Sequence, residues 1–228
     1  LMKYLIRKKY KLIYLFNKMF KEKFDKKLEF DWSKSSKRFT IINTIIKKMN
    51  YEKYLEIGCF KDEAFEKIKI KTRVGVDPVS GGNIRLTSDN FFSQNKEKFD
   101  IIFIDGLHIY EQVLKDINNS LEILNEDGVI LLHDCLPIKL RDQMIPRSHE
   151  KWNGDVWKSI VNVRTNPNLD TYTCLADEGI GIIFKRSNKN ILSLEQKNFK
   201  KLKFSYYFYN HKELMNPVTE NQVLSLFS

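Results

Sequence analysis

Two short apolar runs of this chain each end in residues that can carry out chemistry. The runs cover residues 101–104 and 129–132, and the residues that follow them are Asp105, His108, His133 and Asp134. Carboxylates can bind a divalent cation, and imidazoles can take up or release a proton near neutral pH. The four side chains together therefore predict either acid–base catalysis or a metal site, provided that the fold brings them into contact.

The elements that carry these residues indicate that they do meet. A short apolar run bounded by turn residues is typical of a strand that is buried on both faces of a parallel sheet. Ligands bind such sheets at the carboxyl ends of the strands, and neighbouring strands lie about 5 Å apart. If the two runs are neighbouring strands, we expect both carboxylates and both imidazoles to converge on one spot.

Strands alternate with helices through the middle of the chain. We expect strands at 54–57, 73–76, 101–104 and 128–132, helices at about 35–49, 62–69, 109–124 and 155–164, a hairpin of 171–175 and 179–185, and a short capped helix after Thr219. This order predicts the α/β class, as a Rossmann-like three-layer sandwich. Its sheet is expected to be mainly parallel and seven-stranded, with a closing antiparallel strand.

The positive charge of the chain is concentrated near its N-terminus. Of the net charge of +10, residues 1–30 carry +7, from ten Lys/Arg and three Asp/Glu. The nearly neutral remainder does not favour nucleic acid as a partner. Residues 1–34 are expected to form a basic amphipathic helical arm, which could contact its own domain, a second subunit or a membrane surface. Residues 35–190 would form the main domain, and residues 191–228 an aromatic extension packed on it.

The remaining bulk properties indicate a cytoplasmic protein. The three cysteines, Cys59, Cys135 and Cys174, lack metal-ligand spacing and are expected to be reduced thiols. No apolar run is long enough for a transmembrane segment, and no convincing signal peptide is found.

A second group of motifs indicates a nucleoside cofactor. Gly58 ends the strand that contains Glu56, and a glycine at such a turn lets a ligand approach the backbone. Asp77 ends a second strand about 20 residues later, where an acid can accept hydrogen bonds from ribose hydroxyls. Neither G-x-G-x-x-G nor a P-loop occurs, so a cofactor with ribose but without pyrophosphate fits best. S-adenosylmethionine is such a cofactor.

The ordered motifs resemble those of class I S-adenosylmethionine-dependent methyltransferases. More narrowly, they are similar to the macrocin O-methyltransferase-like enzymes, which methylate sugar hydroxyls. The resemblance spans about residues 35–185 and is carried by Leu55-Glu-Ile-Gly58, Val76-Asp-Pro78, Ser88-Asp-Asn-Phe91, Ile104-Asp-Gly-Leu-His-Ile-Tyr110 and Leu132-His-Asp-Cys-Leu-Pro137.

The resemblance implies cofactor-binding roles for six residues. Glu56 and Gly58 would line the methionine end of S-adenosylmethionine, Asp77 would hold the ribose, Ser88 and Asp89 would lie by the adenine, and Asp105 would lie near the transferred methyl group. Structural alternatives remain open: a buried pairing for Glu56, a strand-end turn for Asp77 and a helix cap for Asp89. The second glycine that is often found in the first motif is absent here.

The resemblance also implies the chemistry. His108 matches the proposed general base, and its place at a predicted helix start should keep the imidazole neutral. Asp105 is the second residue expected in catalysis, and Asp105 with Asp134 could bind Mg²⁺. His133 stands where the family usually has a further carboxylate, and imidazole is a poorer Mg²⁺ ligand. The alternatives are a structural cap or turn role for His108, and either hydrogen bonding near the cofactor or simple loop support for His133 and Asp134.

The loop after residue 137 is a candidate substrate cover. Arg147 and Asp155 in this region, together with His133, are the residues expected to contact substrate, although Asp155 could instead cap a helix. The leading hypothesis is an O-methyltransferase that acts on a hydroxyl of a sugar, either nucleotide-linked or a surface-glycan precursor. The alternatives are a methyltransferase for nucleic acid or a small phenol, and a non-catalytic cofactor-binding assembly protein.

Overall fold

One seven-stranded sheet organises the described part of the molecule. The computed structural model describes residues 2–227, so Leu1 and Ser228, the outer ends of the expected arm and extension, lie outside it. The strands are β1 (Lys53–Ile57), β2 (Thr72–Val76), β3 (Phe99–Ile104), β4 (Leu124–Leu132), β5 (Asp170–Cys174), β6 (Ile180–Phe184) and β7 (Pro217–Val218).

The sheet is mainly parallel and closes with a reversed strand. Its order is β2-β1-β3-β4-β6-β5-β7, in which β2, β1, β3 and β4 run parallel to one another. Strand β6 is antiparallel to both of its neighbours, β4 and β5, and β7 runs parallel to β5. The predicted Rossmann-like α/β fold, with a mainly parallel seven-stranded sheet and a closing antiparallel strand, is therefore confirmed.

Helices cover both faces of the sheet. They are α1 (Met2–Phe20), α2 (Arg38–Met49), α3 (Ser88–Gln94), α4 (Tyr110–Ile123), α5 (Trp157–Val163), α6 (Phe204–Met215) and α7 (Glu220–Val223). Buried side chains of α3, α4, α5 and α6 belong to one apolar cluster, whereas those of α2 and α7 belong to a second. Two clusters separated by the sheet make three layers, as predicted.

The apolar pattern of β3 explains why it lies in the middle of this arrangement. Ile102 and Ile104 belong to the first cluster, and Ile101 and Phe103 belong to the second. Successive side chains of a strand point to opposite faces, so a run without polar residues can pack against both layers at once. The strand ends at Asp105, where the apolar pattern stops.

The prediction of a helix at 62–69 is wrong. Phe60 and Asp62 have φ values of +44° and +60°, in the left-handed region, and only Phe65–Lys67 form a short 3₁₀ helix. The carboxylate of Asp62 accepts the backbone N–H of Gly82 at 2.6 Å, which holds the chain in a turn. This local side-chain bond competes with helix formation, as short acidic side chains commonly do.

Residues 125–128, between the predicted helix at 109–124 and the predicted strand at 128–132, form a bulge rather than a separating turn. Strand β4 already begins at Leu124, which pairs with Phe99, and the next pair joins Ile101 to Val129. Residues 125–128 therefore project from the ladder while the strand continues. The predicted hairpin is present as β5 and β6, and the expected helix after Thr219 is α7, which a capping box at Thr219 begins.

The two ends of the chain pack against each other and against the domain. Glu22 accepts the N–H groups of Phe204 and Ser205, both at 2.8 Å, and so caps α6. Phe24 makes edge contacts with the rings of Phe204 and Phe208. The extension also supplies β7, the seventh strand. No helix among residues 2–227 is long and apolar enough to cross a membrane.

Candidate functional site

The site lies at the carboxyl edge of the sheet, where the chain changes direction. From β1 the chain passes to β2 on one side and later to β3 on the other, which makes a topological switch point where ligands typically bind. A cavity of about 740 Å³ opens there, which we call the cofactor cavity. Eight of the residues expected to form the site line it: Glu56, Gly58, Asp77, Ser88, Asp89, Asp105, His108 and Arg147.

Gly58 lets the first and third strands approach each other above the sheet. Its φ is +89°, and a Cβ atom added there would lie 2.4 Å from the carbonyl oxygen of Asp105. Any side chain would therefore be strained and would clash with backbone. The glycine turn thus places Asp105 at the floor of the cavity beside β1.

Glu56 is a buried acid at the end of β1. Only 2% of the residue is exposed, and its Oε2 accepts the Tyr54 hydroxyl at 2.5 Å. Burial raises the pKa of Glu56 to about 8, against the opposing effect of the Tyr54 hydrogen bond. The carboxyl group is therefore mainly protonated at neutral pH, in a cavity wall where a cationic group could ionise it.

Asp77 organises the loops around the cavity. Its carboxylate accepts three backbone N–H groups, from Phe60 at 2.9 Å, Val79 at 2.8 Å and Ser80 at 2.9 Å. Although burial acts in the opposite direction, these bonds hold the pKa of Asp77 below its usual value. Each carboxylate oxygen can accept more than one hydrogen bond, so Asp77 retains capacity for a hydroxyl. Asp77 therefore stabilises the strand-end turn and can still accept a hydrogen bond from a ligand hydroxyl.

The far end of the cavity is polar. The side-chain amide of Gln112 donates to Ser88 Oγ at 3.2 Å and to carboxylate oxygens of Asp89 at 3.1 Å and Asp116 at 3.0 Å. The cap of α3 is Thr87, so the helix-cap alternative for Asp89 is wrong. Burial raises the pKa of Asp116 to about 6. No motif marks Gln112 or Asp116 as a site residue, because both lie within a predicted amphipathic helix.

The four residues that end the apolar runs do converge. His108 Nε2 lies 3.3 Å from Asp105 Oδ1, and His108 Nδ1 lies 3.2 Å from Asp134 Oδ2. His133 Nδ1 contacts the same two carboxylates, at 3.4 Å and 3.5 Å. Neighbouring strands β3 and β4 therefore bring two acids and two imidazoles to one spot, as predicted.

His108 is charged rather than neutral in this arrangement. Burial opposes the charged form, but Asp134 and Asp105 raise the pKa of His108 to about 9. The expectation of a neutral ring at the start of α4 is therefore wrong for the protein without ligands. Two adjacent carboxylates outweigh the partial positive charge of a helix N-terminus.

The loop that ends at residue 154 covers His108. The ring of Trp152 stacks on the imidazole with centroids 5.5 Å apart, and the Arg147 guanidinium lies 5.6 Å from the Trp152 ring. The Trp152 carbonyl accepts the His108 Nδ1–H at 3.1 Å. At Gly154, where φ is +62°, an added Cβ would lie 1.8 Å from the His108 carbonyl oxygen. Only glycine therefore allows the loop to come this close.

Asp155 and His133 do not line the cofactor cavity. The Asp155 carboxylate accepts the Tyr110 N–H at 2.7 Å and pairs with Lys158 at 3.3 Å, so it caps α4 rather than its own helix. His133 is enclosed by three carboxylates, since its Nε2 also lies 3.6 Å from Asp177 Oδ2. Burial opposes the charge of His133, but these acids raise its pKa well above the usual value.

Two further charged residues complete the cluster. Arg38 Nε lies 3.6 Å from Asp105 Oδ2, and the same guanidinium contacts Asp177 at 3.2 Å. Asp177 is in the turn between β5 and β6, which reaches this edge because β6 starts beside the end of β4. Neither Arg38 nor Asp177 could be predicted as a site residue, because no local motif marks either of them.

Three of these residues could hold a cation. Ligand atoms of Asp105, His108 and Asp134 all lie within 4.8 Å of one another. Asp134 has a φ of +60° and accepts an amide N–H of Asn153 at 2.7 Å, so its carboxylate is fixed in an uncommon backbone conformation. Two carboxylate oxygens and one imidazole nitrogen fit a divalent cation.

Comparisons with known proteins agree with this geometry. Residues 55–135 match a family model described as a methyltransferase domain, and no curated protein matches the chain. The match supports an S-adenosylmethionine-dependent methyltransferase, as the sequence predicts.

Solved structures share the fold at low sequence identity. An O-methyltransferase from Bacillus cereus in complex with SAH is 10% identical, with 79% of this chain and 90% of that chain covered and a TM-score of 0.51. A putative O-methyltransferase from Klebsiella pneumoniae is 12% identical, with coverages of 68% and 83% and a TM-score of 0.50. These similarities confirm the predicted fold.

Proposed function

We propose that this protein transfers a methyl group from S-adenosylmethionine to a hydroxyl oxygen of a sugar, with His108 as general base. The observation that carries the proposal is the position of Asp105 and His108, in contact with each other on the wall of the cofactor cavity. A cofactor that fills this cavity places its reactive end within reach of an imidazole. The sugar as acceptor is supported by the sequence resemblance.

Different lining residues would bind different parts of the cofactor. Glu56 would bind the cofactor's ammonium group, because the ligand's positive charge would compensate the cost of ionising a buried acid. Asp77 offers its remaining acceptor capacity to the ribose hydroxyls. Ser88 and Asp89 would bind the adenine amine, and the Gln112 amide orients both of them.

The chemical step needs alignment and the removal of one proton. When bound, S-adenosylmethionine supplies a methyl group whose C–S bond breaks, with the electron pair returning to sulfur, as the acceptor oxygen forms the new C–O bond. His108 takes the hydroxyl proton, and Asp134 stabilises the resulting imidazolium through Nδ1. Before it can act as a base, His108 must lose the proton it holds without ligand. A positive sulfonium beside Asp105 favours that loss.

A divalent cation such as Mg²⁺ is the second part of the proposal. Asp105 and Asp134 would hold it, and a bound cation polarises the acceptor oxygen. The positive charges of His133 and Arg38 lie against Asp105 and compete with a cation for this carboxylate. We therefore expect weak cation binding by a site that is built mainly from two acids.

The test is a turnover assay with S-adenosylmethionine and a panel of sugars and sugar nucleotides, with detection of S-adenosylhomocysteine. We expect His108→Gln to lower turnover by about 10²- to 10⁴-fold, the usual effect of a general base, with unchanged cofactor affinity. His149→Gln is the matched control, since His149 does not line the cofactor cavity. Turnover that survives in His108→Gln would remove His108 from the mechanism.

Titration with Mg²⁺ separates the two roles open to His108. If His108 is the base, His108→Gln keeps the Mg²⁺ affinity of the unaltered protein, whereas Asp134→Asn loses it. If His108 is instead a ligand, both variants bind Mg²⁺ more weakly, and the base assignment fails.

A further inference from the structure

A second cavity, of about 960 Å³, borders the cofactor cavity. Both cavities have Leu107 and Gln112 in their linings, so the segment that carries His108 forms the wall between them. A ligand in the second cavity would therefore lie next to the centre proposed for methyl transfer. Five lysines line this space, which we call the lysine cavity: Lys21, Lys158, Lys200, Lys201 and Lys203.

The acids in the lysine cavity are already engaged. Glu22 accepts two backbone N–H groups at the start of α6, and Glu111 pairs with Lys200. Asp155 accepts the Tyr110 N–H and pairs with Lys158. Each of these three carboxylates is therefore engaged elsewhere, and among the described residues none of them pairs with Lys21, Lys201 or Lys203.

Three lysines of the cavity remain without a carboxylate within residues 2–227. Lys21 Nζ donates to the carbonyl oxygen of Ile145 at 2.7 Å, which leaves its charge unpaired. Lys201 and Lys203 are exposed and form no ion pair in the described part of the chain. Lys21 belongs to the N-terminal segment and the other two to the C-terminal extension, so the fold brings separate parts of the chain together as one positive surface.

We propose that the lysine cavity binds a phosphate or diphosphate group carried by the acceptor. Lysine is a compact point charge that suits phosphate oxygens, and three unpaired lysines match a multiply charged anion. This inference rests on the proposed function, because it assigns the acceptor of that reaction to a phosphorylated class. It gives the arm and the extension a role in substrate binding.

Inorganic pyrophosphate is the probe for this site. We expect Lys201→Glu/Lys203→Glu to weaken pyrophosphate binding by at least about tenfold in calorimetric titration, the effect of losing one good charged contact. Lys96→Glu/Lys98→Glu is the matched control, because it makes the same charge change at the same spacing on exposed lysines outside the lysine cavity. Equal binding by the unaltered protein and the Lys201→Glu/Lys203→Glu variant, or no binding by either, would overturn the inference.

Competition identifies the source of the phosphate. If the group belongs to the acceptor, pyrophosphate competes with the acceptor and not with S-adenosylmethionine. Pyrophosphate that binds without affecting the acceptor's KM would show a site for free anions and overturn the acceptor role. Loss of cofactor binding in the charge-reversed variant would count against the proposed function instead.

A different observation concerns the outer face of α1. Leu5, Leu12, Phe16 and Met19 are 56%, 68%, 55% and 74% exposed. Their spacing of seven, four and three residues places them on one stripe of the helix. Asn17, by contrast, is 3% exposed and faces the domain. The helix therefore packs with one face and presents an apolar stripe with another.

The charge of α1 identifies what fits this stripe. Residues 2–20 contain six Lys/Arg and no Asp/Glu. We infer that α1 lies on an anionic membrane surface, with the apolar stripe among the acyl chains and the lysines at the phosphate headgroups. An interfacial helix combines an apolar face with basic residues in this way and does not span the bilayer.

The test is co-sedimentation of the full chain with vesicles of phosphatidylcholine alone or mixed equally with phosphatidylglycerol. We expect binding to the anionic vesicles only, and at least about tenfold weaker binding by Phe16→Ser/Met19→Ser, since two apolar anchors are lost. Ile191→Ser, at a 53% exposed position elsewhere, is the control. The inference would be overturned if the Phe16→Ser/Met19→Ser variant bound the vesicles as well as the unaltered chain does. It would also be overturned if sedimentation showed that the unaltered chain associates with itself and that the variant does not, since the stripe would then be an interface between copies of the chain.

Discussion

At the scale of single residues, Glu56 is a buried acid whose ionisation costs the folded protein stability. Glu56 is 2% exposed. Among the described residues, no cation lies within hydrogen-bond distance of its carboxyl group, and the Tyr54 hydroxyl is the one side-chain donor to it. Its pKa of about 8 is far above the ordinary value of 4.5. The folded protein therefore holds a proton that the unfolded chain has already released between these two pH values. Stability must fall as pH rises through that window.

We expect Glu56→Gln to remove this pH dependence. The glutamine keeps the shape and can still accept the Tyr54 hydroxyl, but it cannot ionise. The variant should therefore gain stability over the unaltered protein as pH rises from about 4.5 to 8, by on the order of 4 kcal/mol at the upper end. Thermal melting between pH 5 and 9 measures the difference.

Cofactor binding supplies the control for this substitution. If the carboxylate of Glu56 binds the ammonium group of S-adenosylmethionine, the more stable variant should bind the cofactor more weakly. Parallel melting curves of the two proteins across the whole pH range would show that Glu56 ionises normally, and would contradict its assignment as a buried, mainly neutral acid.

The sequence predicted the positions of single residues better than their charge states. Asp105 and His108 could be placed because a strand end fixes where a side chain lies. The charge of His108 could not be predicted, because it depends on Asp134, which is distant in the sequence. The place of Arg38 and Asp177 in the site could not be predicted for the same reason. The turn that contains Asp177 reaches the site through the pairing of β4 with β6.

At the scale of elements, the C-terminal end of the loop before α5 contacts the site directly. Asn153 donates to Asp134 Oδ1 at 2.7 Å and to Glu178 Oε2 at 2.8 Å. Gly154 then passes against the backbone of His108. Because these contacts join three separate segments, a small change in the loop should move His108.

We expect Gly154→Ala to lower turnover by at least about tenfold and stability by about 1–2 kcal/mol, since a left-handed alanine is strained and its Cβ would overlap the His108 carbonyl. Turnover and the free energy of unfolding are both measured. Glu150→Ala, at an exposed position in the same loop, is the control and should change neither. Unaltered turnover in Gly154→Ala would show that the loop does not position His108.

Most helices and strands could be predicted from the regular spacing of their apolar residues. The helix at 62–69 was predicted wrongly because a local side-chain hydrogen bond decides the structure there. Strands β1 to β4 and helix α4 follow apolar patterns that burial enforces. Residues 62–69 have a helix-compatible composition, but the Asp62 hydrogen bond to Gly82 turns the chain instead. Strand β7 has only two residues, too few for a pattern.

At the scale of the whole molecule, the C-terminal extension completes one face of the sheet. Phe227 is 7% exposed and lies against Phe184 of β6, with ring centroids 4.9 Å apart. Val223 of α7 is buried in the same cluster. This face lies on the side of the sheet that α2 also covers, and Phe227 does not line the cofactor cavity.

We expect Phe227→Ala to lower the free energy of unfolding by about 3 kcal/mol, the lower end of the range for a buried phenylalanine. Cofactor affinity at low temperature should stay the same. Chemical denaturation measures the first quantity and calorimetric titration the second. Ile191→Ala, which truncates an exposed side chain, should change neither, and a Phe227→Ala variant of full stability would show that the extension does not complete the core.

The stacking of Trp152 on His108 has an optical consequence. A protonated imidazole is an effective quencher of indole fluorescence, whereas a neutral ring quenches weakly. Because the two rings are 5.5 Å apart, the emission of Trp152 should brighten when His108 gives up its proton or when the loop lifts away. With Trp32 and Trp157 replaced by phenylalanine, the fluorescence of Trp152 alone would report the protonation state of His108 and the position of the loop.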